Sequence, residues 1–588
     1  MKRFLSFDPL NLPSSRRLFD LSQRQEANSG QNDTSTPDLD RTGHSSGSGR
    51  PSDDDEDDHG SIMGLRNRRR SSASGRPSER SPADSHAENS PCDQAESFQV
   101  RTKLGQTVHW SSQYHYSTEE LEPYRQVGDE EMDDMLELCA NEGAEGAGRF
   151  DDIVRLSAKA AESLSPHDEA AVSVSPARRA LADFHNRYST PPSFVDWEQL
   201  QRGIDIFVTY APAAGTSLYY RSLVGGFSIP KITQVLFATR YLAPPSPPEK
   251  VKERLMDTGG FLAACFAPVP GNNGDATTRT APAAAIRPGG PGWAAALRVR
   301  HLHARVRRSI LQSKTLDWDT EEFGIPINQE DMSATVLAFS VNVLIGIEFI
   351  GGRALSEDDQ KDYLALWRYL SWLLGVEING GDTNSKSNLP PLDPCSGRKA
   401  GGSANAESDP IAHSYSLLES VIFHLLHPND ISRRVASHLL DIGGNSKKER
   451  MQGKVAANNS DKHEEDTARQ TFGFQYRAFM CRRNLGGPLA NALDLPHPPK
   501  FSLMYGVLFA VSSIQLTLMR IYTMLTMHVP FLRSSINRWH ASGMSTFFTA
   551  WEIQHNKRMR RANVSEDNGD AKMKVGSACP FALIMQPE

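Results

Sequence analysis

From about residue 97 onward, apolar positions recur every three to four residues along most of this chain, the spacing of helices with one buried face. The pattern predicts one or two short acidic helices over Glu119–Cys139 and an amphipathic helix over Pro176–Tyr188. A long helix follows over Glu198–Tyr220, with Ile204, Phe207, Val208 and Leu218 pointing inward, and is broken at Gly225-Gly226. Further helices are predicted over Lys231–Tyr241, Glu249–Phe266, from Ala294 through the basic stretch after it, and over Tyr363–Val376 and Ser414–Leu426. Patterns of period two are scarce and no internal repeat is found. The expected fold class is therefore all-α, a single large helical domain.

Two stretches are apolar beyond the needs of one face. Met332–Ile347 carries no charge over 16 residues, too short to cross a bilayer comfortably, and reads as a core helix. Asn328–Asp331 just before it can cap that helix. Phe501–Met519 has 19 uncharged residues, about 28 Å as a helix, and could just cross a membrane. It also holds Ser502, Ser512, Ser513, Gln515 and Thr517, with Arg520 next, and a buried helix of a large α domain fits as well. Residues 501–519 are thus the candidate membrane contact.

Composition divides the 588 residues. Residues 1–96 are rich in Ser, Gly, Pro, Asp and Arg and poor in aliphatic side chains, so they are expected to be a long disordered N-terminal tail. The ordered domain is expected over 97–555, with mobile polar insertions at about 379–406 and 443–466 and a C-terminal tail over 556–588. The net charge of −7 is placed in local blocks, acidic at Asp53–Asp58 and basic at Arg66–Arg70, which speaks against a nucleic-acid partner. Six scattered cysteines without CxxC spacing make no disulfide framework. The apolar patch within residues 1–10 is too short for the core of a signal peptide.

The densest chemistry lies in Arg298-Val-Arg-His-Leu-His-Ala-Arg-Val-Arg-Arg308, five arginines and two histidines in eleven residues. On a helix turning about 100° per residue, Arg300, His303 and Arg307 share one face, and His301, Arg305 and Arg308 form a neighbouring flank. His301 and His303 diverge, so one metal would not take both. An imidazole between two guanidiniums suits haem, which needs an axial nitrogen for iron and cations for its propionates. A solvated or partner-facing basic helix has the same composition. On the preceding helix Arg254 and Thr258, four apart, share a face and could line a polar pocket or form a surface pair.

Eight short strings occur in order: Phe194-Val-Asp-Trp197, Arg202-Gly203, Ser222-Leu-Val-Gly-Gly226, Arg254-x-x-x-Thr258, Arg287-Pro-Gly-Gly-Pro-Gly-Trp293, the Arg/His stretch, Gly324-Ile-Pro-Ile-Asn-Gln329 and Asp362-Tyr-Leu-Ala-Leu-Trp-Arg368. Together, over about 194–377, they resemble the fungal branch of the MpaB-like oxygenase and latex-clearing protein family. The resemblance implies a globin-like haem b core and the use of dioxygen to cleave carbon–carbon double bonds of isoprenoid chains into carbonyl fragments. It also implies His303 as the proximal iron ligand, Arg300 and Arg307 as the flanking cofactor-binding arginines, and Arg254 and Thr258 as catalytic residues on the oxygen side. There are two departures. Asp257 stands where latex-clearing proteins carry a lysine, and a family glutamate one helix earlier falls at Gln234, which cannot accept a proton as a carboxylate does.

The expected function is that of a haem-dependent oxygenase acting on a hydrophobic isoprenoid small molecule or polymer. The substrate chain would lie against Trp367 or the 332–347 helix. The alternatives are a haem-binding relative with lost or altered catalysis and a membrane-associated interaction protein. The expected location is intracellular, at the endoplasmic reticulum membrane.

Overall fold

Prolines and short polar side chains set where the helices begin. In the computed structural model six helices start on a proline, whose missing N–H costs nothing in the first turn. Asp129, Asp152, Asp196, Asn328, Ser356 and Asn429 cap others by accepting from backbone N–H groups, each worth about 1 kcal/mol. The described residues are 97–101, 107–143, 152–164, 174–239, 242–244, 246–269, 281–381, 387–401, 408–442, 471–500 and 502–567. The expected tail over 1–96, the part from 568 onward of the tail expected over 556–588, and the insertion over 443–466 lie outside them.

Among the described residues the fold is all-α but for one antiparallel pair, β1 (Ser97–Arg101) and β2 (Thr107–Ser111), in register Ser97↔Ser111. The helices are α1 (Glu130–Asn141), α2 (Ile153–Ser163), α3 (Pro176–Ser189), α4 (Trp197–Thr209), α5 (Ala211–Ser217), α6 (Pro230–Ala238), α7 (Pro248–Phe266) and α8 (Pro291–Leu311). Then come α9 (Gln329–Phe339), α10 (Val341–Gly351), α11 (Glu357–Leu373), α12 (Pro410–Leu425), α13 (Asp430–Leu440), α14 (Phe472–Leu485) and α15 (Gly487–Ala492). The chain closes on α16 (Leu503–His528) and α17 (Pro530–Asp567). One-turn helices occur at Thr118–Leu121 and Thr320–Phe323, and a π-helix joins α5 to Gly225 over Leu218–Val224.

Helices α4 and α11 pack along each other at the centre. Their approach needs Gly203, since a Cβ there would lie 2.6 Å from the Asp362 carbonyl. The neighbouring Arg202 clasps the Asp362 carboxylate with two hydrogen bonds of 2.6 and 3.0 Å. Two of the strings read from the sequence, Arg202-Gly203 and the one starting at Asp362, are thus one contact. Trp293, Trp367, Trp372, Tyr188, Tyr363 and Tyr369 are the large buried rings of the core. Trp367 packs against Phe339 and Phe266.

Four expectations change. The uncharged run 332–347 is two helices, because buried Ser340 takes φ −97° and ψ −95° and interrupts the ladder. The break lets α9 lie on α12 and α10 on α5. The predicted long helix from Glu198 is likewise divided at Tyr210 and then widened into the π-helix. The described part of 379–406 is packed: Leu392 and Cys395 are buried, and Asp393 binds Arg368 at 2.9 Å. Finally, helix α17 runs through 556 to Asp567, where a tail was expected.

Candidate active site

The helix predicted around the Arg/His stretch is α8, and its Arg300, His303 and Arg307 face one side, toward the start of α1. Both arginines are buried and paired. Arg300 donates to Asp129 at 2.6 and 2.7 Å and to Glu131 at 2.8 Å, and lies 4.6 Å over the Tyr188 ring. Arg307 donates to Asp133 at 2.6 Å and to the carbonyls of Pro326 and Ile327. Three acids in the first turn of α1 and its cap therefore fix the pitch and register of α8. Burial pushes the Asp133 carboxyl up to about 6, against the pull of Arg307. On the outer flank Arg298 binds Asp152, the cap of α2, at 3.0 and 2.9 Å.

His303 lies between these clasps. Burial, helped by the Arg307 charge, holds its imidazole down at about 4, while Asp129 pulls the other way. The ring is neutral at physiological pH, the form that ligates a metal. Its Nδ1 is buried with no hydrogen-bond partner, as is Arg300 Nη1 on the same face. Orphaned buried polar atoms are rare in folded proteins, and two on one face are a place where a bound group completes the structure. A haem fits this pair: one imidazole nitrogen for iron and one guanidinium donor for a peripheral carboxylate. Among the described residues no group of three His, Cys, Asp or Glu side chains is arranged around a metal position, and a single axial imidazole does not need one.

Helix α7 packs along α8 and carries the other two predicted residues. Arg254 is buried and Thr258 half-buried, with the threonine hydroxyl donating to the Arg254 carbonyl at 3.3 Å. Asp257 points elsewhere. Its buried carboxylate accepts from Trp551 at 3.0 Å and Arg558 at 2.8 Å, both on α17. At Gly260 a Cβ would collide with the Trp551 ring, so α17 lies tight on α7. Asp257 thus holds the C-terminal helix, which accounts for an acid where a lysine was expected.

Gln234 is half-buried on α6. One turn earlier Lys231 starts a charge chain, buried at Lys231, Glu330 and Asp331, that sequence reading missed. Its Nζ lies 2.8 Å from Glu330 and 3.2 Å from Asp331, Glu330 binds His424 Nδ1 at 2.7 Å, and His424 Nε2 reaches Glu122 at 3.1 Å. The members come from four distant segments, and Glu330 and Asp331 read locally as first-turn acids of a capped helix. Of the two places expected for a substrate chain, Trp367 is enclosed in the core, whereas α9 and α10 line an apolar slot.

Residues 251–512 match the family model described as ER-bound oxygenase mpaB/B′/rubber oxygenase, catalytic domain. Arg254, Thr258, Arg300, His303 and Arg307 all fall inside the match, and the α1 acids that hold α8 fall outside it. A solved structure of the latex clearing protein LCP in the closed state aligns with 72% of this chain and 91% of its own, at 17% identity and a TM-score of 0.41. Comparison with curated proteins finds no match. Over residues 251–512, the chain is thus similar to the oxygenase catalytic domain of the mpaB/B′ and rubber oxygenase family.

Proposed function

We propose that the protein is a haem b-dependent oxygenase that uses dioxygen to cleave or oxidise a carbon–carbon double bond of a hydrophobic, isoprenoid substrate. The observation that carries this reading is His303: a neutral, half-buried imidazole whose buried Nδ1 has no partner, inside a segment that matches an oxygenase family model. His303 would hold the iron, and Arg300 would offer Nη1 to a propionate while its other nitrogens stay on α1. Arg307 positions the helix from its other end. When bound, haem supplies the iron at which dioxygen is activated. Arg254 and Thr258, on the adjacent helix, are the polar side chains assigned to the oxygen side. The apolar face of α16 is assigned to an intracellular membrane surface, which would bring the site to the phase in which isoprenoids dissolve.

The test is the visible spectrum of purified protein, oxidised and then reduced, beside His303→Ala. We expect a Soret band that His303→Ala loses while its helical circular dichroism is unchanged. Full haem occupancy in the variant overturns His303 as ligand, and a folded wild type that stays colourless with haem supplied overturns the cofactor. Oxygen uptake with a farnesylated or polyisoprenoid substrate then tests the reaction. Haem without uptake would favour the reading with altered catalysis, for which Gln234 in place of a carboxylate is the specific motive.

A further inference from the structure

The string Ser222-Leu-Val-Gly-Gly226 plays no part in the site around His303, yet it borders a narrow slot, partly open to solvent, with a cavity volume of about 80 Å³. The slot runs between the π-helix and α9, α10, α12, α14 and α15. Its walls are mainly apolar, with Ile345, Val421, Leu485 and Leu489 among them. A π-turn widens a helix locally and recurs at functional sites. Here it is fastened open: Ser222 Oγ donates to the Ala338 carbonyl at 2.5 Å and accepts from Asn342 Nδ2 at 3.1 Å. A Cβ added to Gly226 would meet nothing within 4 Å.

One wall of this slot is a buried cation. Arg221 is 7% exposed and lines the slot. Its one side-chain hydrogen bond runs from Nη1 to the Asn484 carbonyl at 2.7 Å, and its Nε is buried with no partner. Among the described residues it forms no ion pair, unlike Arg300, Arg307 and Arg368, and burial pulls its guanidinium down to about 10. Beside it the fully buried Asn484 has an unpartnered Oδ1. A guanidinium without a counter-charge in an apolar wall is a costly arrangement that a bound anion relieves. The vacant Nε edge of the fork matches the two oxygens of a carboxylate.

The geometry points to a second ligand site here, taking an aliphatic carboxylic acid with its carboxylate on Arg221 and its chain along Ile345 and Val421. The rival account is that Arg221 only caps the carbonyl end of α14 at Asn484. The inference does not rest on the haem reading, because its test is binding to the full-length chain.

The experiment is isothermal titration with decanoate, with farnesoic acid and with decan-1-ol, each below its aggregation threshold. We expect at least one acid to bind one per chain and at least tenfold tighter than the alcohol. Preference for decanoate would indicate a straight-chain fatty acid, and preference for farnesoic acid a terpenoid acid. Arg221→Met should bring the acid to the level of the alcohol without lowering the melting temperature of the unliganded protein, and Val421→Trp should abolish both by filling the slot. Arg221→Gln, which keeps a donor for Asn484, gives the same readout should the Met variant not fold. Equal or absent binding of acid and alcohol to the wild type overturns the proposal, as does a preference that survives loss of Arg221. A fall in melting temperature with no ligand effect supports the cap alone.

Discussion

Among the described residues two stretches are long and apolar enough to cross a membrane by length and composition, Gln329–Gly351 and Leu503–His528, and the fold treats them in opposite ways. In the apolar window of the first, 67% is buried within the protein, against 17% in the second. The first is broken at Ser340 into α9 and α10, so that two short helices can be enclosed by neighbours on several sides. The second is continuous and has neighbours on one side, where it meets α5, α10, α14 and α17. Its exposed face is the more apolar one, although Leu508 and Leu516 are buried with the polar side chains. Ser512, Thr523 and Thr526 face the protein and are buried, while Ile514 and Leu518 stand 61% and 62% exposed. Met504, Val507, Val511, Ile514, Leu518, Ile521 and Leu525 follow one another at spacings of three and four, a single outward stripe. Exposed Phe531 and Trp539 on α17 extend the apolar surface. A contiguous stripe of this kind marks a contact with lipid or a partner, and lipid is the contact proposed above.

The comparison breaks hardest under a charge. Val343→Asp would bury a carboxylate on α10, where Val343 is 0% exposed, and should cost about 4 kcal/mol or more, enough to prevent folding. Ile514→Asp on α16 should leave the melting temperature within about 2 °C of wild type, as surface substitutions do, but should lower flotation of the protein with liposomes. A large loss of stability from Ile514→Asp, or unchanged flotation, would mean that the stripe is covered by protein.

Truncation sharpens the same contrast at smaller cost. Leu344→Ala removes a side chain that is 3% exposed and should lower stability by about 2–5 kcal/mol in denaturant melts, from lost burial and the cavity left behind. Leu518→Ala should change it by no more than about 0.5 kcal/mol. Equal effects at the two positions would remove the distinction between the helices.

How much of this was legible beforehand follows from which interactions are local. The periodicity of α3, α7, α8, α11 and α12 and the cap at Asn328 lie within a few residues, and reading them placed those helices. The shared face of Arg300, His303 and Arg307 was equally local. Their partners were not: Asp129, Glu131 and Asp133 lie some 170 residues earlier, and an acidic first turn carries no mark of which arginine it will meet. The break at Ser340 was hidden because a serine in an uncharged run looks like any small helical residue. The side of α16 that faces outward was undetermined for a related reason: both faces hold apolar residues, and the contacts of Arg483 with Ser512 and Ser513 show which polar groups are inward.

The smallest expected effect is the most specific to that arrangement. Arg483 on α14 donates from Nη1 to Ser512 Oγ at 2.8 Å and to Ser513 Oγ at 2.9 Å, and lies 5.6 Å over the Phe509 ring. Burial lowers the Arg483 pKa, so its charge is poorly solvated and the serine oxygens stand in for water. Ser512→Ala deletes one acceptor from a half-buried cation but leaves Ser513 and the ring, so the loss should be about 1 kcal/mol. On an ordinary surface helix a serine matters less than a leucine. Here Ser512→Ala should destabilise more than Leu518→Ala in the same denaturant series, because Ser512 faces the protein and Leu518 does not. If the leucine proves the costlier of the two, the stripe at Leu518 is packed against protein in solution and the assignment of that face to a membrane fails.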